Sequence, residues 1–155
     1  MKKILIVEGN LRDENQSFSE AGIQTHTESL KDSLAYFTDK LETHVVNPSS
    51  DENIDKNIDA LESYDGLIWG GSSLNIYNNT PEIKRQIEFM KECQKKIKKI
   101  LAICWGMQVA VTVAGGKIKL DGTAQTIDAE TVGGDSKDTI KSAAVSTAET
   151  NIPQQ

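Results

Sequence analysis

Apolar positions along this chain change period in a regular way. Lys3 to Val7 is a short β-branched apolar run, and Glu8-Gly9-Asn10 ends it with turn residues. It reads as a central parallel strand. Leu11 to Ser19 is polar with no regular period and reads as a loop. Between Thr25 and Leu41 the apolar residues Leu30, Leu34, Phe37 and Leu41 are spaced four, three and four apart, which is one helical face. Thr43 to Val46 is predicted as a second strand, stopped by Asn47-Pro48. Ser50 can cap a helix running through Ile54, Ile58 and Leu61 to about Ser63, with acids in its first turn. Gly66 to Trp69 is a third strand, and Gly70 to Asn79 a loop. Thr80-Pro81-Glu82 opens the next helix with a cap and a proline at its first position, and Ile83, Ile87 and Met90 share one face. Ile100 to Ile103 is an apolar run suited to a buried strand. Val109 to Ala114, closed by Gly115-Gly116, suits a buried helix with a glycine stop.

Four rounds of strand and helix predict an α/β fold: three layers, a mostly parallel sheet with helices on both faces and right-handed crossovers. Ligand sites in such sheets lie at the carboxyl ends of the strands, where Glu8, Gly70-Gly71 and Cys104 all fall. After Lys119 the character changes. Residues 121–155 contain no aromatic residue and are rich in Thr, Ala, Ser and Asp. The chain therefore divides into an α/β domain over 1–120 and an atypical polar tail over 121–155. Ala124 to Val132 is a weak strand and Gly133-Gly134-Asp135 a turn, and residues beyond about Thr147 read as a disordered end. A chain cut after Ala144 is expected to keep its fold.

Composition narrows the partners. With 155 residues and a net charge of −6, the chain is one domain in size and lacks the basic stripe of a nucleic-acid surface. Lys95, Lys96, Lys98 and Lys99 form its basic cluster, read as a solvated helix end. No stretch approaches the ~20 apolar residues of a membrane span, and Lys2-Lys3 precedes only a strand-length apolar run, not a signal peptide. The two cysteines, Cys93 and Cys104, make no disulfide framework. Cys93 sits in a charged helical run and reads as incidental. A lone reactive thiol fits a reducing cytoplasm. No motif calls for a cofactor or a metal.

Cys104 is the candidate for chemistry. It stands between a predicted strand and a predicted helix, with Ala102 and Gly106 as small neighbours. That is the setting of a nucleophile elbow, in which the next backbone N–H can face a developing oxyanion. The partial positive charge of a helix N-terminus suits a thiolate. A buried core cysteine has the same spacing, so position alone leaves both readings open.

The motif Ala102-Ile103-Cys104-Trp105-Gly106-Met107-Gln108 resembles the G-x-C-x-G-x-Q signature of the class I (triad) glutamine amidotransferases, with Ala102 in place of the first glycine. Tyr64 to Tyr77 resembles the oxyanion strand and loop of that family, and with the opening KKILIVEGN it is nearest to the stand-alone GMP synthase-like members. The resemblance covers about residues 1–119. It implies the class I amidotransferase fold, a flavodoxin-like half with an incomplete C-terminal part. It also implies hydrolysis of glutamine to glutamate and ammonia through a cysteine thioester, with ammonia passed to a synthetase partner. It assigns Cys104 as nucleophile, the backbone N–H groups of Gly71 and Trp105 as oxyanion hole, and Gly70, Ser72 and Gln108 to the substrate site.

The family's histidine and glutamate come later in the chain, as His-x-Glu. This sequence has two histidines, His26 and His44, and none after Cys104. Both read as surface or satisfied core residues. Glu130 and Glu149 have no histidine to orient. The chain is therefore expected to be an amidotransferase whose second half is missing or replaced, truncated, frame-altered or inactive. Three other readings remain. One is a peptidase or deglycase of the same superfamily, in which Glu8 would approach the thiol; Trp105 stands where that group commonly has histidine. Another is a receiver-like module, which lacks its acceptor aspartate because Gly70 ends the third strand. The last is a non-catalytic partner subunit.

Overall fold

The structure, a computed structural model, describes residues 1–50, 54–121 and 124–128. In chain order the elements are β1 (Lys2–Val7), α1 (Arg12–Glu20), α2 (His26–Phe37), β2 (Leu41–Val46), α3 (Ile54–Ala60), β3 (Gly66–Trp69), α4 (Pro81–Lys96), β4 (Ile100–Ala102), α5 (Trp105–Val113), β5 (Lys117–Asp121) and β6 (Ala124–Asp128). A 3₁₀ turn, Leu61–Ser63, extends α3, and another, Ile76–Asn78, follows β3. The first four strands form one parallel sheet in the order β2-β1-β3-β4. Val7 lies beside both Val46 and Trp69, and Trp69 beside Ala102. The strands therefore end level, and the loops that follow them form one rim.

Apolar runs become interior strands because both sheet faces are covered. Leu5, Ile6 and Val7 are consecutive and all buried. Neighbouring strand residues point to opposite faces, so β1 packs on both sides. One core gathers Leu5, Val7, Leu67 and Trp69 from the sheet, Phe89, Met90 and Cys93 from α4, and Trp105 and Val109 from α5. Met107 and Val111, elsewhere on α5, form a smaller cluster with Ile118 of β5. Thr80 caps α4 with Pro81 at its first position, as the sequence predicts.

Several expectations are corrected. The stretch read as a loop at Leu11–Ser19 holds α1, none of whose residues is buried, so no apolar period betrays it. Its signals are at the ends: Asp13 and Glu14 in the first turn and Gly22 at φ 70 after the last. There the Ile23 N–H reaches back to the Phe18 carbonyl, a left-handed glycine stop. Helix α2 ends at Phe37, and Leu41 opens β2, so the helical spacing runs four residues past the helix end, onto the first residue of a strand. Among the described residues β4 is an edge strand of this sheet, and Leu101 and Ile103 are exposed where burial was expected. Cys93 is not incidental but fully buried in the core. The antiparallel pair formed after α5 is β5 with β6, earlier than the turn expected at 133–135. That turn, Glu130, Glu149, the end beyond Thr147 and the cut after Ala144 lie outside the described residues.

Candidate active site

The site is built on the step from β4 into α5. Cys104 adopts φ 52 and ψ −107. Among the described residues Asn79 is the other non-glycine with positive φ, and it sits in the common left-handed region. Cys104 lies outside that region. A residue so placed costs about 1–3 kcal/mol and persists where its surroundings over-determine it. Here they do. The Ile103 N–H donates to the Trp69 carbonyl (2.9 Å), and the Gly106 N–H is shared between the carbonyls of Ile103 (3.0 Å) and Gly70 (3.1 Å). A Cβ on Gly106 would stand 2.4 Å from the Trp69 oxygen, so only glycine lets α5 start against the end of β3. The Cys104 side chain is exposed.

Behind the elbow lies a buried polar network. The Trp105 Nε1–H donates to Gln86 Oε1 (2.7 Å). Gln86 Nε2 donates to the Gly9 carbonyl (2.8 Å) and to Ser49 Oγ (2.8 Å). Trp105 and Gln86 are both fully buried, so these partners replace the water each would otherwise need. Through Gln86, α4 ties the loops after β1 and β2 to the head of α5. The indole presses on Gly9, where a Cβ would meet Trp105 Cδ1 at 2.7 Å.

The loop after β3 is tied down on every side. The Gly70 carbonyl accepts from Gly106, and the Gly71 carbonyl is 2.8 Å from His26 Nδ1. Ser72 Oγ accepts from the Leu74 N–H (3.1 Å), and buried Asn10 accepts the Ser73 N–H at Oδ1 (3.1 Å). Ser73 Oγ donates to Glu14 of α1. Among the described residues the backbone N–H groups of Gly71 and Trp105 donate no hydrogen bond, leaving two open donors at the rim. Gln108 sits one turn into α5, half-buried, and its Oε1 is buried with no partner among the described residues.

The fold thus brings Cys104, Trp105, Gly70, Gly71 and Ser72 to one rim, with Gln108 on the helix behind. No hydrogen bond joins either imidazole to the thiol. His26 bonds Gly71. His44 lies on β2, with Nε2 2.9 Å from Glu42 and Nδ1 2.8 Å from the Tyr64 hydroxyl, and β1 and β3 stand between it and β4. Glu8 is buried, with its oxygens taken by the Asn10 N–H (2.9 Å) and the Thr27 hydroxyl (2.5 Å). No group of three metal-ligating side chains occurs among the described residues. Sequence reasoning missed Gln86 and the contact of His26. The trace of Gln86 was a polar residue on the buried stripe of Ile83, Met90 and Cys93.

Comparison with known proteins gives the family of the chain. The model of the family "Glutamine amidotransferase class-I" matches residues 22–152, a span that runs past the Lys119 limit of the motif resemblance. A γ-glutamyl-L-1-hydroxyisopropylamide hydrolase from Pseudomonas sp is 29% identical over 116 residues, 75% of this chain and 39% of that protein. Gamma-glutamyl peptidase 4 of Arabidopsis thaliana is 34% identical over 58 residues, 37% of this chain and 23% of that protein. The chain thus spans about two fifths or less of the length of these curated relatives. The glutaminase domain of Trypanosoma brucei CTPS with bound acivicin aligns with a TM-score of 0.49 at 17% identity, over 74% of this chain and 40% of that one. With its elbow cysteine and a family match over most of its length, the chain belongs to the class I glutamine amidotransferase family.

Proposed function

We propose that Cys104 is the nucleophile of an amidotransferase site for glutamine or a related γ-glutamyl amide, and that this chain by itself does not turn such an amide over at an enzyme-like rate. The observation that carries the reading is the strained, exposed Cys104 at the head of α5, beside the open N–H groups of Gly71 and Trp105. Two relatives are named as acting on γ-glutamyl compounds, which supports the γ-glutamyl group as the part recognised. In the first step the Cys104 sulfur attacks the side-chain carbonyl carbon. A C–S bond forms, and the oxygen takes up negative charge beside the two N–H donors. Gly70 and Gly71 leave the backbone bare for close approach, and Ser72 and Gln108 complete the substrate site.

The second step is the weak one. The C–N bond breaks only as the nitrogen takes up a proton, and water must then cleave the thioester. General acid–base help of this kind is worth about 10²–10⁴-fold. His26 spends its Nδ1 on Gly71 and makes no hydrogen bond to Cys104, and His44 lies across the sheet. In the family setting, a GMP synthase-like protein in a reducing cytoplasm, ammonia would pass to a synthetase partner. A γ-glutamyl chloroketone should label Cys104, glutamine should protect it, and Cys104→Ala should abolish the label, while glutamate release from glutamine stays at background. An unlabelled Cys104 would remove the nucleophile. Enzyme-like glutamate release that Cys104→Ala abolishes would remove the claim of inactivity. Release restored by adding a family C-terminal half carrying His-x-Glu would confirm which part of the machinery was wanting.

A further inference from the structure

His26 touches the candidate site at a place that no part of the proposed chemistry uses. Its Nδ1 is 2.8 Å from the Gly71 carbonyl oxygen. A carbonyl only accepts, so Nδ1 carries the proton, as it does whether the ring is neutral or charged. A Cβ on Gly71 would meet His26 Cε1 at 3.2 Å, so the ring also packs on the Gly71 Cα. The carbonyl on the other side of Gly71, that of Gly70, is held by the Gly106 N–H at 3.1 Å. Both peptide planes flanking Gly71 are therefore pinned. Peptides are planar and trans, with N–H and C=O pointing in opposite directions. Holding the Gly70 oxygen on the Gly106 N–H thus points the Gly71 N–H the opposite way and leaves it unspent. Glycine flips its peptides more freely than any other residue, so one pinned plane is not enough and the second is needed.

The element that carries His26 is itself fastened to the rim. Thr25 caps α2 in a capping box with Glu28. Thr27, the next residue after His26, donates its hydroxyl to buried Glu8 at 2.5 Å. Three consecutive residues, Thr25, His26 and Thr27, bind the helix cap, the loop after β3 and the end of β1.

We infer that His26 is a positioning residue: by holding the Gly71–Ser72 peptide it fixes the torsions about the Gly71 Cα, so that the neighbouring Gly70–Gly71 plane cannot swing and the Gly71 N–H stays available to a developing oxyanion at Cys104. This rests on the reading of Cys104 as a nucleophile toward a carbonyl carbon. Two reagents separate the roles on the intact chain. A γ-glutamyl chloroketone reacts through attack on its carbonyl, with charge on oxygen, before sulfur displaces chloride. Iodoacetamide loses iodide by direct displacement and needs no oxyanion site. His26→Ala should slow chloroketone labelling of Cys104 by roughly tenfold or more, since one oxyanion donor is worth about 10²–10³. Iodoacetamide labelling should stay within about twofold, because thiolate fraction and access alone set it. His26→Asn, whose side-chain N–H takes the place of Nδ1–H, should recover most of the loss. An alanine variant that slows both reagents alike, or neither, would overturn the positioning role, as would failure of asparagine to rescue in a variant with unchanged thermal midpoint. Wild-type protein that shows no glutamine-protected chloroketone labelling would overturn the nucleophile reading itself, and the role of His26 with it.

Discussion

The two cysteines of this chain lie on helices that pack against each other, α4 and α5, and have opposite surroundings. Cys93 is buried among the core residues of α4. Burial strips its thiol of water and, with the charge of Glu92 adding to the effect, pushes the thiol up to about 12. Cys104 stands exposed at a backbone position that non-glycine residues rarely adopt. A helix middle gives a sulfur neighbours on all sides and no solvent. A strand-to-helix step lifts it off the sheet and leaves backbone donors unspent around it. The residue type is the same, and the chain path decides whether it fills space or can react.

The sharpest way to break that contrast is to move the chain path. Gly106→Ala puts a methyl 2.4 Å from the Trp69 oxygen, where only backbone can give way. We expect a loss of about 3 kcal/mol or more, the upper range for overpacking, read as a lowered urea midpoint. Gly70→Ala meets only Leu30 Cδ1 at 3.2 Å, the end of a side chain that can turn aside, and should cost about 1 kcal/mol or less. Equal losses at the two glycines would mean that the elbow relaxes, and that its geometry is not what holds Cys104 out.

Alkylation of the folded protein compares the sulfurs directly. Peptide mass spectrometry after brief iodoacetamide treatment at neutral pH should find Cys104 labelled at least about a hundredfold faster than Cys93, since thiolate fraction and access set the rate. Comparable labelling would place both thiols in similar surroundings and remove the basis for an activated Cys104.

The contrast was only half legible in the sequence. The step at Cys104 was readable because its causes are local: an apolar run before it, Gly106 after it, and a helix closed by Gly115 at φ 82. β1, β3 and α4 were readable for the same reason, each carrying its own period or cap. Cys93 was misread because charged neighbours on the outer face of α4 hid the inner stripe. α1 was missed because it buries nothing and so has no period. The ties that complete the rim, His26 to Gly71 and Gln86 to Gly9, join residues 45 and 77 positions apart. Nothing local in either residue marks its partner. What was legible was the position of the chemistry, and what was not was the polar network that holds it there.

That network is open to test at Trp105. Trp105→Phe keeps most of the apolar bulk but removes the Nε1–H, leaving Gln86 Oε1 buried without its donor. An unpaired buried acceptor costs about 1–3 kcal/mol, so the variant should lose about 2 kcal/mol in denaturant unfolding. A loss under about half a kcal/mol would mean that water or a rotated Gln86 takes over the bond and that the network positions nothing.

The smallest effect concerns Cys93 and alkaline pH. In the folded chain its thiol stays neutral up to about 12, against an ordinary value of 9.0 once unfolded. Below pH 9 both states hold the proton, and the group adds no pH dependence. Above pH 9 the unfolded chain releases the proton and the folded chain keeps it, so unfolding becomes progressively easier until the folded thiol also ionises. The loss is about 1.4 kcal/mol for each pH unit in that window. Cys93→Ala removes the proton altogether, at a constant cost for the lost sulfur contacts. Tyr64, its hydroxyl raised by burial and by Glu42, and every other ionisable group are common to both proteins and cancel in the difference. The variant should therefore start less stable at pH 7 and close on the wild type by about 1.4 kcal/mol at pH 10, in paired denaturant titrations. A stability difference that stays constant from pH 7 to pH 10 would mean that the Cys93 thiol ionises as readily folded as unfolded. The opposition between an inert core sulfur and an exposed one would then be lost.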